Sequence, residues 1–465
     1  MTSAATPENA GNTENASAAY GAPDPDTAEG RSTLRKAITA SALGNATEWF
    51  DYGVYATLTT YITLNFFPGE LGSIGTMLGF AVSFVLRPLG GFIWGPLGDK
   101  LGRKTVLATT IVLMAGATFC MGLIPSVDTI GVWAPILLIT LRVIQGFSTG
   151  GEYGGAATFM AEYAPDRQRG RRGSFLEFGT LAGFAAGSAV VLVLELLLSE
   201  DAMAGWGWRL PFFIALPLGL VGFYLRTRLA ETPVFQEIEP EEKAESSAFG
   251  GLKELLAQYW RPILTMFAMV IALNVANYTL LTYLPTYLQT TIGLDPSAAT
   301  ATILIGELVM MALIPFSGAL SDRVGRKPMW LTSLIGLLVL SIPLFLLMRQ
   351  GFGWAIVAFA VLGILYLPQL STISATFPAM FPTQVRYAGF AISYNVATAA
   401  FGGTAPLVSD AVIQGTGFDL FPALYMMAAC VIGLIAMPCF KETAGASLRG
   451  TQIPETGALP VLERR

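Results

Sequence analysis

Histidine is absent from the 465 residues of this chain, cysteine occurs only three times, and charged side chains of both signs together make up 13%. Each scarcity excludes something. Without imidazole there is no Ser-His triad, and proton handling near neutral pH falls to carboxylates, tyrosine or lysine. Cys120, Cys430 and Cys439 all fall in apolar runs, so they read as packing residues with neither a disulfide framework nor a metal site. No glycine-rich nucleotide motif leads into a lysine and no zinc-ligand spacing occurs, which leaves an enzyme or an ATP-driven pump without residues to run on. An ordinary soluble chain is about 25% charged. Half that share, with 53% hydrophobic residues, points to a polytopic membrane protein. The 50 glycines and 27 prolines agree with this, since both are common in membrane helices. The net charge of −5 matters less than where the charges lie.

Apolar segments long enough to cross a bilayer recur from residue 37 onward. They fall near 37–66, 72–97, 105–125, 130–160, 173–199, 209–229, 261–289, 297–320, 328–348, 352–380, 386–415 and 418–440, predicting twelve spans. Of the 27 lysines and arginines, all but Arg87, Arg142, Arg209 and Arg349 lie on one side of such a bundle. The positive-inside rule therefore predicts a cell-membrane protein with both termini cytoplasmic. Residues 1–33 read as a disordered cytoplasmic tail that is not a signal peptide, because no apolar core follows a basic start. Residues 34–229 and 261–441 form two six-helix halves. The acidic stretch 230–260, with Glu231, Glu237, Glu239, Glu241, Glu242 and Glu245, is the cytoplasmic linker, and 442–465 is a short cytoplasmic tail.

The halves repeat. Gly98-Asp99-Lys100-Leu101-Gly102-Arg103-Lys104 after the second span recurs as Ser321-Asp322-Arg323-Val324-Gly325-Arg326-Lys327 after the eighth. A weaker echo joins Pro165-Asp166-Arg167-Gln168-Arg169 to Pro382-Thr383-Gln384-Val385-Arg386. Parallel repeats of this kind imply a transporter that holds its substrate between the halves near mid-membrane. Asp99 with Arg103, and Asp322 with Arg326, are expected to act in gating, pairing with helix ends when the cytoplasmic side is shut.

The most informative stretch is Asn45-Ala46-Thr47-Glu48-Trp49-Phe50-Asp51-Tyr52. Glu48 and Asp51, three residues apart, share roughly one helix face with Asn45 one turn earlier. Ionisable groups at such depth are costly and mark transport pathways. Two intramembrane cations, Arg142 and Arg87, could hold a substrate carboxylate. Arg87 could instead bond to backbone carbonyls freed by Pro88. Glu152 lies ten residues beyond Arg142, about 15 Å further toward the cytoplasm, and is a secondary proton site. Glu162 and Glu177, near helix ends and loop arginines, are expected in cytoplasmic gate ion pairs. Glu307 reads as the only deep acid of the second half, its role open.

These segments resemble the major facilitator superfamily. From Leu34 to about Thr443 the chain is similar to its metabolite–proton symporter family, and within that to the osmoregulatory proline/glycine-betaine symporter type. The likeness rests on Gly44-Asn45 through Tyr55, Gln145-Gly146-Phe147-Ser148, Gly150-Gly151-Glu152-Tyr153, Trp206-Gly207-Trp208-Arg209, Pro211 to Gly219, Leu281-Thr282-Tyr283 and Pro378 to Thr383. It implies an all-α fold of twelve transmembrane helices in two parallel six-helix halves. It also places spans 1 and 4 side by side, so that Glu48 or Asp51 pairs with Arg142. Protonating that acid would free Arg142 for a substrate carboxylate. A zwitterion such as proline or glycine betaine would set its ammonium against aromatic faces, with Trp49, Tyr52, Tyr55, Tyr278 and Tyr394 as candidates. The implied activity is proton symport driven by the proton gradient, with no cofactor, no metal and no nucleic acid, by a monomer in the lipid bilayer. Alternatives are a proton symporter for a dicarboxylate such as 2-oxoglutarate and a non-transporting sensor. The better-known members of the resembled type carry a C-terminal coiled coil, whereas the stretch after Lys441 has Pro454 and Pro460 and no heptads. Any osmotic response is therefore expected to work without one.

Overall fold

The computed structural model describes residues 28–69, 72–101, 103–150, 152–228, 257–383, 385–448 and 452–457. Most of the N-terminal tail and most of the acidic linker lie outside them. The described chain is helical with no strand, and its helices order into twelve spans. Five of these are continuous or nearly so: Arg103–Leu123 (span 3), Arg169–Leu197 (span 5), Leu210–Arg228 (span 6), Pro296–Val324 (span 8) and Arg326–Met348 (span 9). Span 12 is Phe421–Ala436.

The other six are interrupted. Span 1 is Ala28–Thr57 followed by Thr59–Phe66, and span 2 is Gly72–Val85 followed by Arg87–Leu101. The break in span 2 follows from Pro88, which has no N–H to offer the preceding turn. Span 4 is Trp133–Thr149 and Glu152–Tyr163, parted at Gly150. Span 10 is Phe352–Leu370 with the short turn Ile373–Thr376. Spans 7 and 11 each widen into a π-turn, Thr279–Tyr283 between Trp260–Tyr278 and Leu284–Thr290, and Thr398–Gly402 between Arg386–Ala397 and Thr404–Thr416. Pro285 lies just past the first, where its missing N–H would leave a carbonyl unpaired in regular α geometry.

Glycine decides which helices come closest. On span 5, Gly179, Gly183 and Gly187 lie against the backbone of Ala42, Ala46, Phe50 and Gly53 of span 1. Gly146 and Gly150 of span 4 meet the backbone of Ser83 and Arg87 of span 2, where no side chain would fit. This small-residue spacing lets backbones touch in the absence of a hydrophobic drive between helices. It holds span 1 rigidly against span 5, and spans 2 and 4 against each other, around the acids of span 1.

Both faces are tied shut between the halves. On the face carrying most of the basic residues, Asp322 of span 8 accepts from the backbone N–H of Gly170 (2.8 Å) and Arg171 (2.9 Å) at the start of span 5. Arg386 of span 11 pairs with Glu162 of span 4 at 2.8 Å. On the opposite face Ser73 of span 2 donates to Asp410 of span 11 (2.5 Å), and Thr60 of span 1 to Gln289 of span 7 (2.6 Å). Of the cysteines only Cys430 is buried, while Cys120 and Cys439 are exposed. Packing therefore accounts for one of the three.

Candidate functional site

Successive residues of an α-helix turn by about 100°, so positions three apart diverge by about 60°. Glu48 and Asp51, both buried, use that divergence to reach different neighbours. Asp51 faces spans 3 and 4: its Oδ2 accepts from Arg142 Nη1 at 3.2 Å and from Gln145 Nε2 at 2.8 Å. Gln145 also receives Arg142 Nη1 at 2.8 Å and donates to the Thr118 hydroxyl at 2.6 Å. The Arg142 guanidinium carbon stands over the Tyr55 ring, 3.4 Å from its centroid, and the Tyr55 hydroxyl donates to the Thr76 carbonyl. Glu48 faces span 2, with Arg87 Nη2 at 3.5 Å. The same nitrogen donates to the Tyr52 hydroxyl at 2.8 Å, and the guanidinium stands 4.2 Å from the Phe84 centroid.

The site is thus two acid–arginine pairs side by side. Asp51 is the partner of Arg142, and Arg87 is neither free nor bonded to carbonyls near Pro88 but paired with Glu48 and Tyr52. The pairs are not saturated. Asp51 Oδ1, Arg142 Nε and Nη2, and Arg87 Nε are buried without a hydrogen-bond partner. Buried donors left idle cost about 1–3 kcal/mol each, so the geometry keeps capacity for a further acceptor at a price in stability.

An aromatic layer covers the pairs where the halves meet. Trp49 and Tyr52 of span 1, Phe80 and Phe84 of span 2 and Tyr278 of span 7 lie ring to ring, with Trp49 to Tyr52 at 5.3 Å and Phe84 to Tyr278 at 5.0 Å. Asn45 is not directed to this layer as a free amide. Its Nδ2 donates to the Leu176 carbonyl and the Thr180 hydroxyl of span 5, and its Oδ1 accepts from the Trp49 indole at 3.1 Å. It therefore orients Trp49. Tyr394 is stacked on Tyr153 at 4.8 Å and on Phe390 at 5.4 Å.

One sequence expectation is corrected here. Glu177 has no arginine partner among the described residues; it accepts from the Tyr153 and Thr180 hydroxyls, deep in span 5 rather than in a gate ion pair. Glu162 forms an ion pair with Arg386 of span 11. Asp410, like Glu307 a buried acid of the second half, sits at the face opposite the basic one, accepting from Ser73, Tyr283 and Gln414. Asp410 was legible as an acid inside the apolar run Pro406 to Ile413. Gln145, also missed, was legible as a polar residue one turn beyond Arg142. Asp322 and Arg326 form an i, i+4 pair at 2.7 Å. The side chains of Asp99, Arg103 and Glu152 lie outside the described residues.

The major facilitator superfamily model matches residues 42–406. The chain belongs to that superfamily. It is a multi-pass membrane transporter and not an enzyme. It is 44% identical over 429 residues to the proline/betaine transporter of Escherichia coli K12, covering 90% of this chain and 85% of that one. It is 42% identical over 447 residues to the ectoine/proline transporter of Corynebacterium glutamicum, covering 93% and 87%. With a glycine betaine/proline/ectoine/pipecolic acid transporter of Dickeya dadantii it shares 43% over 433 residues, covering 90% and 85%. Among solved structures, the superfamily proton:xylose symporter bound to 6-bromo-6-deoxy-D-glucose superposes with a TM-score of 0.69 at 17% identity, covering 89% of this chain and 97% of that one. That likeness shows the superfamily fold.

Proposed function

We propose that this transporter imports a small zwitterionic osmolyte, of the proline or glycine-betaine kind, together with protons by alternating access. The observation that carries the reading is the pair of buried arginines, each matched by a carboxylate of span 1 and each with an idle N–H, beneath an aromatic layer between the halves. Two cations and two anions sum to zero. With a proton on Asp51 a zwitterion leaves that site one charge positive and a dicarboxylate one charge negative, so the class is chosen by the aromatic layer, whose ring faces suit an ammonium group. The names of the relatives, which are transporters of proline, betaine and ectoine, support the same class.

In the cycle, Asp51 is the proton-coupling acid. While ionised it holds Arg142; once protonated it releases the guanidinium, whose Nε and Nη2 then meet the substrate carboxylate. Glu48 keeps Arg87 and Tyr52 in place beneath the aromatic layer, where the substrate ammonium finds ring faces worth about 0.5–2 kcal/mol each. The basic face is cytoplasmic by the distribution of lysine and arginine, which puts both termini inside. The gate at Asp322, Arg326, Arg386 and Glu162 then closes the cytoplasmic side, with Asp99 and Arg103 as the repeat-related members. The lipid bilayer is the solvent, the monomer is the working unit, and the proton gradient supplies the energy without a cofactor.

The test is uptake of labelled betaine, proline and 2-oxoglutarate in cells without carriers of their own, with and without a protonophore. Protonophore-sensitive accumulation of the zwitterions but not of 2-oxoglutarate is expected. Preference for the dicarboxylate overturns the substrate class, and no protonophore-sensitive uptake at all overturns proton symport.

A further inference from the structure

Away from the two acid–arginine pairs, the seam between span 5 of one half and span 8 of the other contains a carboxyl group that the mechanism above does not use. Glu307 is fully buried, and neither of its oxygens meets a donor in bonding geometry. The Ser188 hydroxyl of span 5 stands beside it and lies 3.5 Å from the Thr57 hydroxyl of span 1. Seven residues further out on span 5, about 10 Å by helix rise, Glu195 marks the rim of the same seam. It accepts from the Tyr61 hydroxyl at 3.3 Å, and its other oxygen is unpartnered. Thr300, seven residues before Glu307 on span 8, lies beside Glu195, its hydroxyl otherwise unpartnered.

We propose that Glu307 is a second proton-binding carboxylate of the transport cycle, reached from the outer rim of the seam at Glu195, and that this seam closes only with a proton on Glu307. The inference rests on the proton-coupled reading of the transporter given above.

The groups on every packed element explain why no other cation can serve. Span 5 offers Glu195 outward, Glu177 inward and Arg169, Arg171 and Arg172 at its basic end, with Asp166 and Arg167 in the turn before it. Span 7 offers Tyr287, span 10 offers Tyr366, and span 9 offers Arg326 and Lys327 at its basic end. Arg326 lies beside Asp322, fifteen residues or about 22 Å along span 8 from Glu307. Among the described residues the charged groups on these elements thus stand toward the ends of the seam, and neither oxygen of Glu307 has a bonding partner. An ionised carboxylate without a counter-ion in such surroundings costs several kcal/mol, so the closed seam requires the bound proton. Alternating access parts this interface, since its two helices belong to the two halves. Parting on the outer side brings water to Glu195 first and then to Glu307, where the proton can exchange. Ser188 and Thr57 continue the line of hydroxyls to span 1.

The test uses purified full-length protein in proteoliposomes, with protons per substrate obtained from the voltage that just stops net flux. Glu307→Gln, the isosteric neutral form, is expected to lose one proton per substrate and to flatten the dependence of uptake on external pH, while substrate exchange continues. Glu307→Asp is expected to keep the parent stoichiometry and move the midpoint of the pH profile; it also serves if the Gln variant fails to fold. Coupled uptake in the parent with unchanged stoichiometry in Glu307→Gln, or a Glu307→Asp profile superimposable on the parent's, overturns this inference alone. Parent uptake that ignores the proton gradient overturns it together with proton symport.

Discussion

A charge withdrawn from water is tolerable only beside its opposite, and span 1 meets that requirement at two positions within one helical turn. Removing one partner of a buried pair leaves the other charge uncompensated, at roughly 3–5 kcal/mol. Arg142→Met should therefore lower the thermal midpoint in detergent and abolish uptake, and Asp51→Asn, which leaves the guanidinium without its counter-ion, should lower the midpoint as well. In Asp51→Asn proton-driven accumulation is lost while exchange of labelled for unlabelled substrate persists; full accumulation in this variant would remove Asp51 from the coupling step. Gln145 is shared between Arg142, Asp51 and Thr118, so Gln145→Leu should cost about 1–3 kcal/mol through stranded donors and acceptors. Its thermal midpoint compared with that of Gln145→Glu, which retains an acceptor for Arg142, reads the effect. That acids and arginines would meet in this region was legible from residue type and depth. Which acid takes which arginine was not, because the 60° between Glu48 and Asp51 selects a partner only once the neighbouring helices are in place.

At the scale of elements, the basic face shows a helix terminus and a tail acting together. Span 9 begins at Arg326 after Gly325, whose φ of 107° lies where side chains are strained. The Glu442 carboxylate accepts from the backbone N–H of Arg326 (2.8 Å) and Lys327 (2.9 Å), capping that helix as an anion at the positive end of its dipole. Beyond it, the Ala446 carbonyl accepts from Arg169 of the first half (2.8 Å) and the Leu448 carbonyl from Arg386 of the second (2.5 Å). Residues 442–448 thus strap the two halves together. Glu442→Gln should cost about 0.5–2 kcal/mol of cap energy and shift the resting population toward a basic face open to water. Faster alkylation of a cysteine placed at Gly173 of span 5 would report that shift, and unchanged alkylation would remove the strap from gating. The repeated Asp, basic, apolar, Gly, Arg, Lys motif advertised this face in the sequence. The cap did not, because Glu442 and Arg326 are 116 residues apart.

For the whole molecule, the ties at both faces make the described state a closed one between the two openings of the cycle. Opening at the Asp410 face must break Ser73 to Asp410 and Thr60 to Gln289; opening at the basic face must break Asp322 to span 5 and Arg386 to Glu162. A disulfide between cysteines at Ser73 and Gln414, whose side chains bond at 2.6 Å, should stop uptake fully and reversibly, with a reductant restoring it. Transport undiminished after confirmed cross-linking would show that this contact persists through the cycle. Asp322→Asn should slow turnover for every substrate by a similar factor, since the residue touches a helix end rather than the site; a changed ranking of substrates would contradict that.

The sequence by itself determined the solvent, the number of spans and the division into halves, because the bilayer requires every backbone group to be satisfied locally and so writes each span as a continuous apolar run. It also pointed to carboxylates and arginines as the buried ions to be paired, since imidazole is missing and buried ions need opposite partners. Only the tertiary structure decided the pairing of Asp51 with Arg142 and of Glu48 with Arg87, the orienting role of Asn45, the outer tie at Asp410 and the solitude of Glu307. These depend on the rotation of each helix about its axis and on the glycine contacts that set how near its neighbours stand, and neither is encoded in any single run of residues.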